Sequence, residues 1–347
     1  MSVMMKGRKV AAQAIFSLPR PVLRRIAGPP VVVDGKTLDL GMQVLLKLQR
    51  LEGPPAETRS MPQARRQIVE SSRLLAGNQP IGAVTDRAID GPGGPIGLRF
   101  YTPHGITAST PALVYIHGGS FMHGDLDSHD AICRMLAEDA HVRVIAVHYR
   151  RAPEDPFPAA VDDVWEAWTW VNAHADALGL DPSRIAIGGD SAGGNLAAVT
   201  AQRAACDGVA APAFQLLFYP CTVFGQPTKS RETYGEGFYL SRVLMDLADA
   251  NYLAGHEDLA DPRLSPLLCD PTGVAPAYVV TAGFDPLLDE GEAYAELMRD
   301  AGVDVEYRCE ESLIHAFVNM AGVVPSARAA VTRASAALQR GLASPTT

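Results

Sequence analysis

The run Gly188-Gly189-Asp190-Ser191-Ala192-Gly193-Gly194-Asn195 constrains this chain more than any other stretch. The apolar segment Arg184–Gly188 leads into it, and a small-residue helical segment, Ala192 to about Cys206, leaves it. A junction of that kind is a sharp strand-to-helix turn. Its glycines let the backbone pass close to its neighbours, and the residue at its apex is held in a strained conformation. Gly189-x-Ser191-x-Gly193 thereby lifts a hydroxyl above a sheet, at a helix N-terminus where the dipole favours developing negative charge. The bland alternative, a glycine-rich packing turn, does not require the serine.

The flanking sequence repeats strand and helix. Val84–Ala88 and Gly97–Tyr101 read as a strand pair around the turn Asp90–Pro95. Ala112–Ile116, Val142–Val147, Ala213–Phe218, Ala277–Thr281 and Val303–Tyr307 are short apolar runs suited to buried parallel strands. Between them lie helical patterns at Asp130–Ala140, Ala159–Leu178 and Gly291–Ala301, and Ser326–Leu342 follows as a terminal helix. The cluster Trp165, Trp168 and Trp170 falls on the second of these and reads as core packing. The alternation predicts an open, mostly parallel α/β sheet. Two regions break the rhythm. Residues 1–80 read as helical, with Leu38–Leu51 and Ala64–Leu75 amphipathic and Pro54–Pro55 between them. Residues 222–262 contain a loop-like Gly225–Gly237 and a helical Ser241–Leu253. Both are candidates for a lid over the site.

A serine nucleophile needs an oxyanion site, a base and an acid. His117-Gly118-Gly119-Ser120-Phe121 follows the strand Ala112–Ile116, beside the nucleophile turn in this topology. Its Gly118 and Gly119 N–H groups, with that of Ala192, are the expected oxyanion donors. Of nine histidines only His256 and His315 follow Ser191. His256 lies in the irregular insertion, whereas His315 follows the last strand after a short loop, so His315 is the expected base. The acid should leave the end of a strand: Asp285 fits, with Asp289, Glu290, Glu310 and Glu311 as competitors.

Four ordered blocks resemble the hormone-sensitive-lipase-like family of α/β-hydrolase serine esterases (carboxylesterases). They are His117–Phe121 with Gly124-Asp125, Tyr149–Glu154 with Pro156–Ala160, Gly189–Gly194, and Asp285–Gly291; His315-Ala316-Phe317 is similar to the family's terminal histidine block. The resemblance covers about residues 82–325. It implies an α/β-hydrolase fold, a mostly parallel eight-stranded sheet flanked by helices with a helical cap. It implies Ser191 as nucleophile, His315 as base and Asp285, the first residue of its block, as acid. The Tyr149–Ala160 block would be structural support. The cap would comprise residues 1–80 and an insertion at about 222–262, over a catalytic domain spanning 81–347. The implied activity is hydrolysis of short-to-medium acyl esters, without cofactor. The same triad hydrolyses amides, so an amidase or arylformamidase is the alternative. A non-catalytic ligand-binding receptor is disfavoured by the presence of His315. Two positions depart from the family pattern. Ser120 stands in place of a third glycine, leaving Gly118 and Gly119 intact. Ala316 stands in place of a glycine and fits if its φ is negative.

Charge and composition narrow the partners. The 347 residues are 47% hydrophobic and carry a net −9, which disfavours nucleic acid as a partner. No apolar run is long enough for an integral membrane span. Residues 1–33 hold Lys6, Arg8, Lys9, Arg20, Arg24 and Arg25 with no acid, leaving −15 for the rest. Three readings of this segment compete: a secretory signal, which lacks a clean apolar core and cleavage site; an amphipathic segment in peripheral contact with a membrane; and a surface helix packed on its own protein. Cys133, Cys206, Cys221, Cys269 and Cys309 form no CxxC and read as mostly buried thiols in a reducing, cytoplasmic setting. His123, Asp125, Asp127, His129 and Asp130 match no common ligand spacing, so no metal is expected. Gly91–Gly94 opens no helix, so no dinucleotide site follows. The last strand is a candidate sheet edge, through which a homodimer would form.

Overall fold

The computed structural model describes residues 3–51, 56–106 and 109–343. Pro54–Pro55 and the side chains of Lys6, Arg8 and Lys9 lie outside the described residues. The basic start folds into helices α1 (Val3–Phe16) and α2 (Arg20–Ala27), followed by α3 (Leu40–Gln49) and α4 (Met61–Leu75). Asp39 begins α3 by accepting from the Gly41 and Met42 N–H groups, and Ser60 begins α4 in a capping box with Gln63.

The sheet is built from β1 (Ala83–Ile89), β2 (Ile96–Thr102), β3 (Thr110–Ile116), β4 (Arg143–His148), β5 (Leu180–Asp190), β6 (Gln215–Phe218), β7 (Ala277–Phe284) and β8 (Val305–Ile314). The spatial order is β8-β7-β6-β5-β3-β4-β2-β1, with β1 and β2 antiparallel to their neighbours and the remainder parallel. The expected eight-stranded, mostly parallel α/β-hydrolase sheet is therefore present. Its crossovers carry α5 (Asp130–Ala140), α6 (Ala159–Ala173), α7 (Ala192–Asp207) and α10 (Leu288–Asp300), and α11 (Pro325–Gly341) closes the chain. Between β6 and β7 the insertion holds α8 (Lys229–Tyr234) and α9 (Arg242–Leu253).

The central strands are buried on both faces, and their period-two alternation splits the core. Leu113 and Tyr115 of β3 pack with α5, α11 and residues of α3, while Val114 and Ile116 pack with α6, α7 and α10. Trp168 is wholly buried, and the flanking Trp165 and Trp170 lie under the guanidinium groups of Arg203 and Arg87. Of the five cysteines only Cys133 is fully buried; Cys206 is exposed, so the expectation of mostly buried thiols holds for one residue outright. All five are free.

Long-range polar ties set the N-terminal helices over the carboxyl ends of the strands. Arg65 of α4 donates to the carbonyls of Met122 and Ala152 (2.8 and 2.9 Å) and pairs with Glu154 at 2.7 Å. Lys36 donates to Gly283 O at 2.7 Å, and Asp39 N to Ser312 O at 2.9 Å. The insertion is fastened in the same way. Arg231 of α8 pairs at 2.8 Å with Glu290, whose carboxylate is wholly buried. No described helix is long and apolar enough to cross a membrane.

Candidate active site

Ser191 sits between β5 and α7 at φ 56° and ψ −120°, the left-handed region in which a side-chain-bearing residue is strained. The turn is possible because Gly193 has no side chain: a Cβ there would strike the carbonyl oxygens of Ile116 and His117. Asn195, one turn into α7, donates to the Cys221 and Leu264 carbonyls at 2.8 Å and anchors the helix start to both ends of the insertion.

Three expected residues converge on this apex. His315, immediately after β8, places Nε2 at 2.9 Å from Ser191 Oγ, and its Nδ1 lies 2.7 Å from Asp285 Oδ2. Asp285 follows β7 and is fully buried; its other oxygen accepts from Leu287 N at 2.8 Å, which fixes the carboxylate plane. The ring of Tyr219 packs on His315 at 4.7 Å. Of the competing acids, Glu290 pairs with Arg231, Glu310 with Arg308 and Arg333, and Asp289 accepts from Ser230 N, while Glu311 is exposed. His256 lies in the insertion, 3.5 Å from Asp261.

The oxyanion loop requires a correction. Gly118 N–H, an expected donor, donates to Asp190 Oδ1 at 3.0 Å and is therefore engaged inside the protein. Gly119, Ser120 and Ala192 carry the N–H groups around Ser191 without a partner among the described residues. Ser120 thus replaces Gly118 among the candidate donors. The loop bends through φ 127° at Gly119 and φ 55° at Ser120, so a non-glycine residue occupies a left-handed position. Ala316 also lies at φ 63°, contrary to the negative value its tolerance was expected to need.

Asp190, within the motif but not singled out from sequence, organises this loop. Its carboxylate accepts from Tyr115 OH at 2.8 Å and Gly118 N–H, and lies 3.3 Å from His129 Nε2. Burial acts to raise its pKa, but His129, Tyr115 and the Gly118 amide outweigh burial and hold it below the usual carboxylate value. The signal in the sequence was a carboxylate inside an otherwise apolar and glycine turn, where burial demands several donors. His117 stacks on Tyr149 at 4.3 Å, and Tyr149 OH donates to His117 O at 2.8 Å. Burial pushes the His117 pKa well down, which suits a neutral supporting role for this pair. The residues weighed as a metal cluster are otherwise engaged: Asp127 pairs with Arg73 and Arg99, and Asp130 with Arg134.

Ser191 opens into a cavity of about 530 Å³. Gly119, Ser120, His129 and Asn319 line its floor; its walls are Ile15 and Phe16 of α1, Leu45 and Leu48 of α3, Ile68 and Leu74 of α4, and Leu240 and Leu244 of the insertion.

Comparison with known proteins gives the family. A family model described as an alpha/beta hydrolase fold matches residues 113–319. The chain is 43% identical to the carboxylic ester hydrolase LipN of Mycobacterium tuberculosis over 321 residues, covering 90% of this chain and 85% of that protein. The chain belongs to the α/β-hydrolase family, among its hormone-sensitive-lipase-like esterases. Among other members of this family, the ethyl acetate hydrolase of Pseudomonas putida is 39% identical, over 83% of this chain and 92% of its own length. The hyperthermophilic esterase of the archaeon Pyrobaculum calidifontis superposes with a TM-score of 0.83 at 38% identity, over 87% of this chain and 98% of its own.

Proposed function

We propose that this esterase hydrolyses short-to-medium acyl carboxylic esters through an acyl-serine intermediate. The observation that carries the reading is the continuous relay from Asp285 through His315 to Ser191 at 2.7 and 2.9 Å, beneath an apolar cavity. His315 Nε2 takes the Ser191 proton as Oγ attacks the ester carbonyl. Asp285 holds the ring and stabilises the imidazolium that forms. The carbonyl oxygen becomes an oxyanion facing the Gly119, Ser120 and Ala192 N–H groups. The C–O bond to the alcohol then breaks, the alcohol leaves with the proton from His315, and acyl-Ser191 remains. Water, deprotonated by His315, attacks the acyl carbon and returns the free acid and Ser191. No cofactor or metal enters the cycle.

Residues 1–80 and 222–262 serve as the cap over the catalytic domain that occupies residues 81–347, a division supported by the walls of the cavity, which come from both segments. The free thiols suit a reducing, cytoplasmic setting. The unpaired edge of β8 supports a homodimer through that strand and α11; light scattering of the purified chain tests it.

The function is tested by steady-state hydrolysis of a short-chain aryl ester series beside matched anilides. Ser191→Ala should abolish turnover and labelling by a fluorophosphonate. Full activity in that variant overturns the mechanism, and faster turnover of anilides than esters overturns the substrate class.

A further inference from the structure

Nine large apolar side chains are exposed among the described residues, and seven of them belong to residues 1–51 or 222–262. Leu51 is 76% exposed and Tyr239 is also exposed, and both line the cavity. Val10, 65% exposed, adjoins the lining residues Ala11 and Ala12; Val243, 61% exposed, adjoins Leu244. The apolar lining therefore continues out of the cavity and over its rim. Scattered exposed apolar side chains need no explanation, but a set concentrated around one opening marks an interaction surface.

The charge of the adjacent helix says what it would meet. In α2, Leu23 and Ala27 are buried, while Arg20, Arg24, Arg25 and Val22 are exposed. The three arginines make no ion pair among the described residues. Helical spacing puts Arg25 opposite the buried pair with Val22 beside it, so a cation and an apolar side chain share the outer face, flanked by exposed Arg20 and Arg24, with exposed Leu18 just before the helix. The first acid that follows α2 in the chain, Asp34, is taken up by an ion pair with Lys229. The segment 1–33 carries six basic residues and no acid on a chain of net −9. Nucleic acid is repelled by that net charge, whereas a helix with interleaved cations and aliphatic side chains suits a planar anionic interface.

We propose that α2 and the apolar rim formed by Val10, Leu51, Tyr239 and Val243 seat this protein on an anionic lipid surface, with the cavity mouth against the lipid. Such seating would let an ester pass from the lipid into the cavity without crossing bulk water. The proposal goes beyond the hydrolytic reading and does not depend on it.

The test is co-sedimentation of the full chain with vesicles of phosphatidylcholine alone and of phosphatidylcholine mixed with phosphatidylglycerol. The wild-type chain should partition onto the mixed vesicles more strongly. Removing the three cations in Arg20→Gln/Arg24→Gln/Arg25→Gln should lower that partition on the order of 100-fold, from roughly fivefold per arginine. Val10→Ser/Val22→Ser should lower it less, and both variants should keep the wild-type rate on a water-soluble aryl ester. Ser191→Ala should sediment as wild type does, so loss of the esterase reading leaves this result standing. The proposal is overturned by equal partition onto both vesicle types, by no partition onto either, or by unchanged partition of the arginine variant. It is also overturned if the arginine variant changes the oligomeric state in light scattering, because a second copy would then be the occupant.

Discussion

Asp190 offers the sharpest test of how the site is held together. Asp190→Asn keeps an oxygen that can accept from Tyr115 OH and Gly118 N–H and presents an amide toward His129 Nε2. The change therefore converts two charge-assisted hydrogen bonds into neutral ones without emptying the site. Charge-assisted bonds contribute about 1.5–3 kcal/mol and neutral ones about 0.5–1.5, so roughly 1–3 kcal/mol of stability is expected to go. Asp190→Ala is harsher. It leaves a buried hydroxyl and a buried amide without partners, at about 1–3 kcal/mol each. If Gly118 N–H is the anchor that turns the Gly119 and Ser120 amides toward Ser191, kcat should fall with stability. About tenfold is expected for the Asn variant, and about 10²–10³-fold for the Ala variant, the loss typical of a misplaced oxyanion donor. KM should change little. The acid limb gives an independent readout. The folded-state pKa of Asp190 lies below its unfolded value, so its stabilisation is complete above about pH 3.9 and is lost as pH falls through the folded value. Asn should flatten that loss. Urea titrations across pH and steady-state kinetics on an aryl ester would check both. An Ala variant that is destabilised yet keeps wild-type kcat would show that Asp190 supports the fold alone, and the anchoring argument would fail.

Other perturbations follow from the same geometry. Arg231→Met strands the fully buried Glu290 carboxylate and should cost about 3–5 kcal/mol; adding Glu290→Gln should recover much of it in thermal unfolding. Burial raises the Asp249 carboxyl to about 6, against the pull of Arg231. The folded chain therefore holds an extra proton between its usual value and 6, and stability declines as pH rises through that window. Asp249→Asn should gain about 1–3 kcal/mol in alkaline buffer and nothing below about pH 4, measured by urea unfolding. Ala316→Gly relieves a left-handed alanine at φ 63° and should raise stability by about 0.5–1 kcal/mol without changing kcat. Ile68→Trp fills part of the cavity wall and should shift the acyl-length optimum on an aryl ester series toward shorter chains.

What could be read from the sequence and what could not divide along physical lines. Central strands were legible because parallel strands buried on both faces are continuous apolar runs, as in Ala112–Ile116. The edge was less so. β8 runs from Val305 to Ile314, beyond the expected Val303–Tyr307, because Glu306 and Arg308 alternate outward, Glu311 is exposed past an irregularity in the pairing, and none of them looks apolar. Helix α8 hid inside an expected loop because its six residues, Lys-Ser-Arg-Glu-Thr-Tyr, have no apolar period. It is held by the Thr228 cap and by an ion pair to a residue far along the chain. The candidate triad was legible for a chemical reason: nucleophile, base and acid each need a particular side chain at the end of a strand, chain order left only His256 and His315 as base, and the family resemblance chose Asp285 among five acids.

The oxyanion loop was not legible in the same way, because its function resides in backbone N–H groups that every residue but proline possesses. Which of them stays free depends on where a distant carboxylate lands. Asp190 lies 72 residues beyond Gly118 and takes its amide, and that bond leaves Ser120 as a candidate donor in its place. A donor assigned by glycine count is therefore assigned by the wrong property. Glycine marks where the backbone must bend or pass close, as at Gly119 and Gly193, whereas the free amide is marked by the absence of a competing acceptor. The consequence for Ser120 is specific. Its amide is a candidate oxyanion donor, and the residue lines the cavity beside Ser191. Ser120→Gly should keep the oxyanion contact, relieve the strain of φ 55°, and widen the space beside Ser191. The expected outcome is an unchanged kcat/KM for a small primary-alcohol ester and a raised one for an ester of a branched alcohol. A variant that loses activity on both would show that the serine side chain, and not its backbone amide, serves the reaction.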